Sequence, residues 1–288
     1  MVPFTAENPL DLPNRKCTVG CPNLDALLGG GVPCASVTEL ASESGCGKTQ
    51  LCLQLLLCAQ LPESRGGLSS ASLCLFSEPP FPLRRLQSLS LSFFGTNDPL
   101  DHIYVRGVHS ADDLLATLDR VDSLLSNPPS SLPIGLIVID SIAALFRSDF
   151  DNNPVDLRRR SNLFFRIASK LKAQARRHGA AVVVTNQVVD VVGSDGGVRV
   201  GNYAWLGSSG RRACPALGLA WANCVNTRLF LSREEEEVVV AASDGSSEDP
   251  ERVCRTRRWI RVAFAPHLPE SAREFVIVRE GLFGLLGS

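Results

Sequence analysis

Gly45-Cys46-Gly47-Lys48-Thr49 follows a short apolar strand pattern, Ser36-Val37-Thr38-Glu39-Leu40, and leads into a long apolar helix pattern that starts at Gln50. This is the layout of a phosphate-binding loop. Glycines let the backbone wrap tightly, so that consecutive N–H groups point inward at a polyphosphate. The helix that follows brings its positive N-terminal end to the same anion. In this reading Ser44, Gly45, Cys46, Gly47 and Gln50 form the cradle for ATP. Lys48 reaches the β- and γ-phosphates, and the Thr49 hydroxyl holds Mg²⁺. The strict motif carries a glycine at position 42, where this chain has Ser42. The substitution is silent if the serine side chain points away from the phosphates. An ordinary glycine turn capping a buried helix explains neither the lysine nor the threonine.

Working outward from the loop, short strand-like runs alternate with helical stretches. Runs fall at 36–40, 72–76, 102–106, 136–140, 181–185, 228–232, 259–264 and 274–278. Near-continuous apolar runs such as Leu136-Ile137-Val138-Ile139 mark strands covered on both faces. Segments 111–125 and 157–177 are long enough to cross over as helices, which predicts an α/β fold with a mostly parallel sheet. The last three runs have shorter connections and are expected as antiparallel additions at one edge. Segment 188–212 is a long Gly-rich loop carrying Arg199, Arg211 and Arg212. Segment 233–256, opening on Glu234-Glu235-Glu236-Glu237, is expected as a flexible, solvated insertion.

The chain has 288 residues, at the upper end of what one core supports. A net charge of -1 gives no global attraction to nucleic acid or membrane, so any DNA contact comes from local patches. Of ten cysteines, Cys17 and Cys21 have no second pair at metal-ligand spacing. Cys52, Cys58 and Cys74 fall inside apolar patterns and read as buried thiols of an intracellular protein. No apolar run is long enough to span a membrane, and the Pro-rich stretch 1–14 lacks the layout of a secretory signal.

Candidate chemistry gathers at strand ends. Asp140 closes the apolar strand 136–140, on the rim where α/β proteins bind ligands, and there it supports the Mg²⁺ held by Thr49. Glu78 ends another strand before Pro79-Pro80. Proline keeps the preceding residue extended, so the carboxylate can activate the water that attacks the γ-phosphate, or it is a surface glutamate in a proline turn. Gln187 closes a third strand and opens the Gly/Arg loop, where it can report the γ-phosphate to that loop. Arg158-Arg159-Arg160 and Arg176-Arg177 flank a helix whose apolar face includes Leu163, Phe164, Ile167 and Leu171. Basic clusters of this kind are usually solvated faces. The loop arginines, with Tyr203 and Trp205, suit a phosphodiester backbone and unpaired bases.

Several segments together resemble the RecA-like strand-exchange ATPases of the eukaryotic recombinase type. They are Thr18-Val19-Gly20-Cys21-Pro22-Asn23-Leu24-Asp25 with Leu28-Gly29-Gly30-Gly31, Gln60-Leu61-Pro62 with Arg65-Gly66-Gly67, Asp140-Ser141-Ile142-Ala143-Ala144-Leu145-Phe146-Arg147, Val184-Thr185-Asn186-Gln187-Val188, and Ala265-Pro266-His267-Leu268-Pro269. The likeness runs from about Lys16 to Gly284. It implies a RecA-like ATPase core over 16–288, preceded by an arm over 1–15 with no separate helical domain. It also implies Glu78 as the catalytic glutamate, Arg85 as the residue stacking on adenine, and the segments after Arg147 and after Gln187 as DNA-facing loops. Arg147, Arg158, Arg199, Arg211 and Arg212 are the expected DNA contacts.

Departures from the family pattern point to its paralogue branch. Phe4 is followed at the third position by Glu7, so the Phe-x-x-Ala polymerisation motif is not matched. Phe264 stands where the family places the acidic residue that caps a neighbour's ATP. Gly218-Leu219-Ala220-Trp221-Ala222-Asn223 resembles the recombinase paralogues. That likeness implies a nuclear role in homologous-recombination repair, assisting strand exchange or Holliday-junction processing. The implied partners are single-stranded or branched DNA, another recombinase paralogue in a hetero-oligomer, and the main strand-exchange recombinase. Two activities fit, a weak DNA-dependent ATPase and a structural adaptor that binds nucleotide with little hydrolysis.

Overall fold

The computed structural model describes residues 15–146, 150, 153–191, 206–240 and 251–286. Lys16–Cys17 (β1) pairs antiparallel with Val32–Pro33 (β2) on either side of helix Pro22–Leu27 (α1). Ser36–Ala41 (β3) feeds through the phosphate loop into Lys48–Cys58 (α2). Ala71–Phe76 (β4), Leu83–Phe94 (α3), Ile103–Gly107 (β5), Ala111–Ser126 (α4), Ile134–Asp140 (β6), Pro154–His178 (α5) and Ala181–Asn186 (β7) continue the alternation. Val188–Asp190 (β8), Gly207–Ser208 (β9) and Arg211–Pro215 (β10) precede a short helix, Gly218–Ala222 (α6). Thr227–Val240 (β11), Glu251–Phe264 (β12), Ala272–Val278 (β13) and Gly281–Gly284 (β14) follow.

Among the described residues the main sheet has nine strands in the order β14-β13-β12-β11-β3-β7-β6-β4-β5. From β11 to β5 every neighbouring pair is parallel, and β12, β13 and β14 extend the sheet antiparallel. This is the expected mostly parallel architecture, and its helices lie on both faces. Alternation along the strands sorts the side chains between two cores. Leu136, Val138 and Val183 join α2 and β14 on one face, and Ile137, Ile139, Val182 and Val184 join α4 and α5 on the other. Cys52, Cys58 and Cys74 are buried free thiols in the first core.

The helices begin and end where their sequences dictate. Ser110 caps α4 by accepting from the Asp113 N–H at 3.0 Å. Asn153 caps α5 by accepting from the Val155 and Asp156 N–H groups at 3.0 and 2.9 Å. Gly179, with φ 61°, ends α5 in the left-handed region. Gln54 is a buried polar side chain inside α2 that staples the ends of the chain to the core. It donates to Val19 O at 2.6 Å and accepts from Leu282 N at 2.7 Å.

Four sequence expectations are corrected. The phosphate-loop helix begins at Lys48 rather than Gln50, which puts Lys48 and Thr49 in its first turn. The run 228–232 belongs to β11, which joins β3 in parallel, Thr227 opposite Thr38 and Phe230 opposite Ala41. Its connection crosses the α5 face, where Leu217, Trp221, Cys224 and Val225 are buried, and so has the length a parallel pairing needs. The described part of 188–212 is not patternless, because β8, β10 and β9 form a small three-stranded antiparallel sheet.

The fourth correction concerns 233–256, whose described residues are paired strand arms, with 234–237 exposed as expected and 241–250 outside the described residues. The β11–β12 pairing runs on from Arg228 opposite Phe264 to Val240 opposite Glu251. Glu234 faces Arg257 and Glu236 faces Arg255, so the acidic run and the basic run neutralise one another across the ribbon. Arg257 also makes a two-armed contact to Glu274, at 2.9 and 2.7 Å, and lies 5.2 Å from the Trp259 ring centroid.

Candidate nucleotide and DNA site

Parallel strands end on the same edge of a sheet, and ligands bind there in α/β proteins. Across the central strands, β3 leads to the phosphate loop, β7 to Gln187, β6 to Asp140 and β4 to Glu78, and β11 carries Arg233 just past its pairing with β3. Gly45 and Gly47 have φ of 80° and 110°. A Cβ added at Gly47 would come within 2.8 Å of Ile277 Cδ1, so the loop path admits only glycine there.

Lys48 Nζ donates to Ser42 O at 2.8 Å, to Ser42 Oγ at 2.9 Å and to Glu43 O at 3.0 Å. Burial lowers its pKa, opposed by the nearby Cys46, Asp140, Cys52 and Glu78 groups. Ser42 therefore departs from expectation. Its side chain is buried and turns toward the lysine rather than away. Its backbone lies outside the left-handed region, so the position does not require glycine.

Thr49 Oγ1 donates to Asp140 Oδ2 at 2.8 Å, and Thr185 Oγ1 donates to Asp140 Oδ1 at 2.6 Å. This hydroxyl and carboxylate pair at a strand end offers the hard oxygen donors that Mg²⁺ takes. Glu78 is exposed, and one carboxylate oxygen accepts from Gln187 Nε2 at 3.1 Å. On the other flank, Arg85 Nε donates to Gln50 Oε1 at 2.7 Å, and its remaining nitrogens donate to Arg279 O and Val278 O at 2.7 and 2.8 Å. Those bonds lie in the guanidinium plane and leave its flat faces for stacking.

The expected DNA contacts divide. Arg147 and Arg199, with Tyr203 and Trp205, lie outside the described residues. Arg158 is exposed and borders a cleft of about 410 Å³ with Asp112, Val155, Arg159, Asn162, Leu163 and Arg166. Its neighbours are engaged structurally, Arg159 with Asp112 at 2.9 Å and Arg160 with Ala216 O at 3.4 Å. Arg212 is exposed. Arg211 is held between Asp190 at 3.0 Å and Glu43 at 3.1 Å.

Glu43 carries no site signal in the sequence, because an acid inside a phosphate loop opposes the anion. Its carboxylate is only 13% exposed and accepts from Ser208 at 2.7 Å, from Ser209 by a shorter bond, and from Arg233 Nε at 3.3 Å. Burial raises its pKa, but the two hydroxyls and the Arg233 charge outweigh it and leave the group below its ordinary value. A second missed cluster lies under the loop. Buried Glu39 accepts from Asn186 Nδ2 at 2.7 Å, from Trp221 Nε1 at 3.0 Å and from buried Arg228.

The Rad51 family model, described simply as "Rad51", matches residues 15–284. The chain belongs to the Rad51 family. This Rad51-family chain is 51% identical over 282 residues to the "DNA repair protein XRCC3 homolog" of Arabidopsis thaliana, covering 93% of each. It is 34% identical over 290 residues to the "DNA repair protein XRCC3" of Bos taurus, covering 98% of this chain and 78% of that one. It is 31% identical over 278 residues to the "DNA repair protein RAD51 homolog 2" of Homo sapiens, covering 90% of this chain and 66% of that one. The recombinase-paralogue resemblance read from the motifs is thereby borne out. Nucleotide binding with Mg²⁺ is general to the family. No helix among the described residues is long and apolar enough to cross a membrane.

Proposed function

We propose that this chain is a recombinase paralogue of homologous-recombination DNA repair that binds ATP and Mg²⁺ at the phosphate loop and DNA at the adjoining loops. The observation that carries the nucleotide reading is the joining of Thr49 to Asp140 at 2.8 Å, beside a lysine already seated in a glycine loop. Bound Mg–ATP supplies the labile phosphoanhydride and a cation that neutralises it. With nucleotide bound, Lys48 would exchange loop oxygens for phosphate oxygens, and Thr49 and Asp140 would hold the metal. Arg85, fixed by Gln50, presents a flat face to the base. Glu78 orients a water and accepts its proton, and Gln187, bonded to Glu78, begins the segment that carries β8 and the second loop. Rate enhancement then rests on positioning and charge rather than on covalent chemistry.

DNA is bound through Arg158 on α5, Arg211 and Arg212 on β10, and Arg147 and Arg199, without base specificity. The partners proposed are single-stranded or branched DNA, a second recombinase paralogue and the main strand-exchange recombinase, in the nucleus. The Glu78–Gln187 bond also favours a second reading, a nucleotide-binding adaptor with little turnover, because it ties one oxygen of the general base to Gln187 and lowers its basicity until Gln187 is drawn away. Nucleotide binding and DNA-stimulated hydrolysis of the wild type, Lys48→Ala and Glu78→Gln separate the two. Loss of binding in Lys48→Ala, with binding but no turnover in Glu78→Gln, establishes a working ATPase. Wild-type binding with no turnover above Glu78→Gln, with DNA and a partner paralogue present, establishes the adaptor. No nucleotide binding by the wild type refutes both.

A further inference from the structure

We infer that Glu43 is the positioning residue that couples the nucleotide site to the second DNA loop, because it touches both at once. Its backbone carbonyl accepts from Lys48 Nζ at 3.0 Å. Its carboxylate holds Arg211 Nη2 at 3.1 Å, and the turn that carries Arg211 is fastened to the same carboxylate by Ser208 and Ser209. Arg233, on β11 just past its pairing with β3, closes the cluster. Its Nε donates to Glu43 at 3.3 Å, its N–H donates to Ser208 Oγ at 3.1 Å, and its carbonyl accepts from Ser209 N at 2.7 Å. The phosphate loop is therefore clamped from its outer side by the strand-and-turn unit that leads out of the second DNA loop.

Two exchanges follow from this geometry. A phosphodiester that binds Arg211 competes with Glu43 and Asp190 for its charge, since the guanidinium already pairs with two carboxylates. A polyphosphate that takes Lys48 must draw it from the Glu43 carbonyl. That shifts the residue whose side chain restrains Arg211, so nucleotide binding loosens the clamp and frees Arg211 for DNA. Reciprocity requires DNA to tighten nucleotide binding by the same factor. The inference rests on the ATP and DNA reading above. It places the coupling in Glu43, in addition to the Gln187–Glu78 contact.

The test measures anisotropy of a labelled single-stranded oligonucleotide with the full chain, with and without a non-hydrolysable ATP analogue and Mg²⁺. Nucleotide affinity is measured separately with a fluorescent analogue. In the wild type the analogue tightens DNA binding. Arg211 is half exposed, so its pair with Glu43 is a weak one, and Glu43→Gln should tighten DNA binding without analogue by about two- to fivefold. The further tightening by analogue then shrinks by the same factor. Nucleotide affinity without DNA should rise by no more than the same factor, because the clamp that nucleotide must loosen is already weakened while the Lys48 contact uses the backbone carbonyl. Arg211→Gln should weaken DNA binding and shrink the dependence on analogue. If Glu43→Gln retains the wild-type dependence, or the wild type has none, the inference is overturned. So it is if the dependence vanishes in Gln187→Ala alone. Should Glu43→Gln lose nucleotide binding, Ser209→Ala replaces it, with the same direction and smaller size expected and an unchanged dependence overturning the inference. A wild type that binds no nucleotide at all refutes the functional reading instead.

Discussion

Replacing Arg228 by methionine should cost this protein much of its stability, because it strands a charge in the centre of the sheet. Arg228 lies on β11 and Glu39 on β3, directly opposite one another in register, and their side chains are 2% and 0% exposed. Glu39 also accepts from Asn186 Nδ2 and Trp221 Nε1. Arg228→Met removes the only cation bonded to this carboxylate among the described residues and leaves two neutral donors. Breaking one side of a buried ion pair typically costs about 3–5 kcal/mol. At about 2–3 °C for each kcal/mol in a domain of this size, the melting temperature should fall by about 6–15 °C. Thermal unfolding of the wild type, Arg228→Met, Glu39→Gln and the double variant forms the assay. The double variant should recover much of the loss, since removing both charges ends the desolvation penalty. A shift of under about 1 kcal/mol in Arg228→Met would show that water reaches Glu39 and that burial does not set the cost.

Ser42→Ala removes one of the acceptors that hold Lys48 inside the loop, so nucleotide affinity should rise about two- to tenfold in a titration with a fluorescent analogue; weaker binding would mean that the hydroxyl serves the bound geometry instead. The Glu43 carboxyl is held below its ordinary value of 4.5, so the unfolded chain takes up this proton first as pH falls. Its stabilisation is complete above that ordinary value and is lost as pH drops through the lower folded value. Glu43→Gln should accordingly flatten the acid limb of a stability–pH curve, and an unchanged limb would contradict the assignment. Arg158→Ala and Arg166→Ala, on the cleft beside α4, should each weaken single-strand binding and lower the log–log salt slope by about 0.7 for each phosphate no longer neutralised. An unchanged slope would mark them as solvated surface.

The site was legible wherever a strand end and a residue type coincided. Asp140, Glu78 and Gln187 each close an apolar run, and parallel strands must deliver their ends to one edge, so the sequence order alone brings them together with the phosphate loop. The β11–β12 ribbon was illegible for the opposite reason. Glu234-Glu235-Glu236-Glu237 repels itself when read along the chain, and the arginines that neutralise it arrive only in the next strand. The same limit hid Glu39 and Arg228, whose charges look like solvent-facing positions until the register sets them side by side. Glu43 escaped because its meaning depends on Ser208, Ser209 and Arg211, which no local pattern connects to the phosphate loop.

These cases separate what the fold holds fixed from what it leaves adjustable. Asp140, Thr185 and the start of the phosphate loop stand on adjacent strands, spaced about 4.8 Å apart by the ladder hydrogen bonds, and both Asp140 oxygens are already bonded. No ligand can change that spacing without breaking the sheet. The contacts that a ligand can alter are made by side chains around the ligand edge of the sheet. They are Lys48 on the oxygens of Ser42 and Glu43, Gln187 on Glu78, and the Glu43 carboxylate on Arg211 and Arg233. Each is a side-chain contact of the phosphate loop or of a neighbouring strand end, not a bond of the sheet ladder. A phosphate drawn to Lys48 or Arg211 therefore acts first on these side chains, and their exchange, rather than any movement of the strands, is the means by which nucleotide and DNA can sense one another.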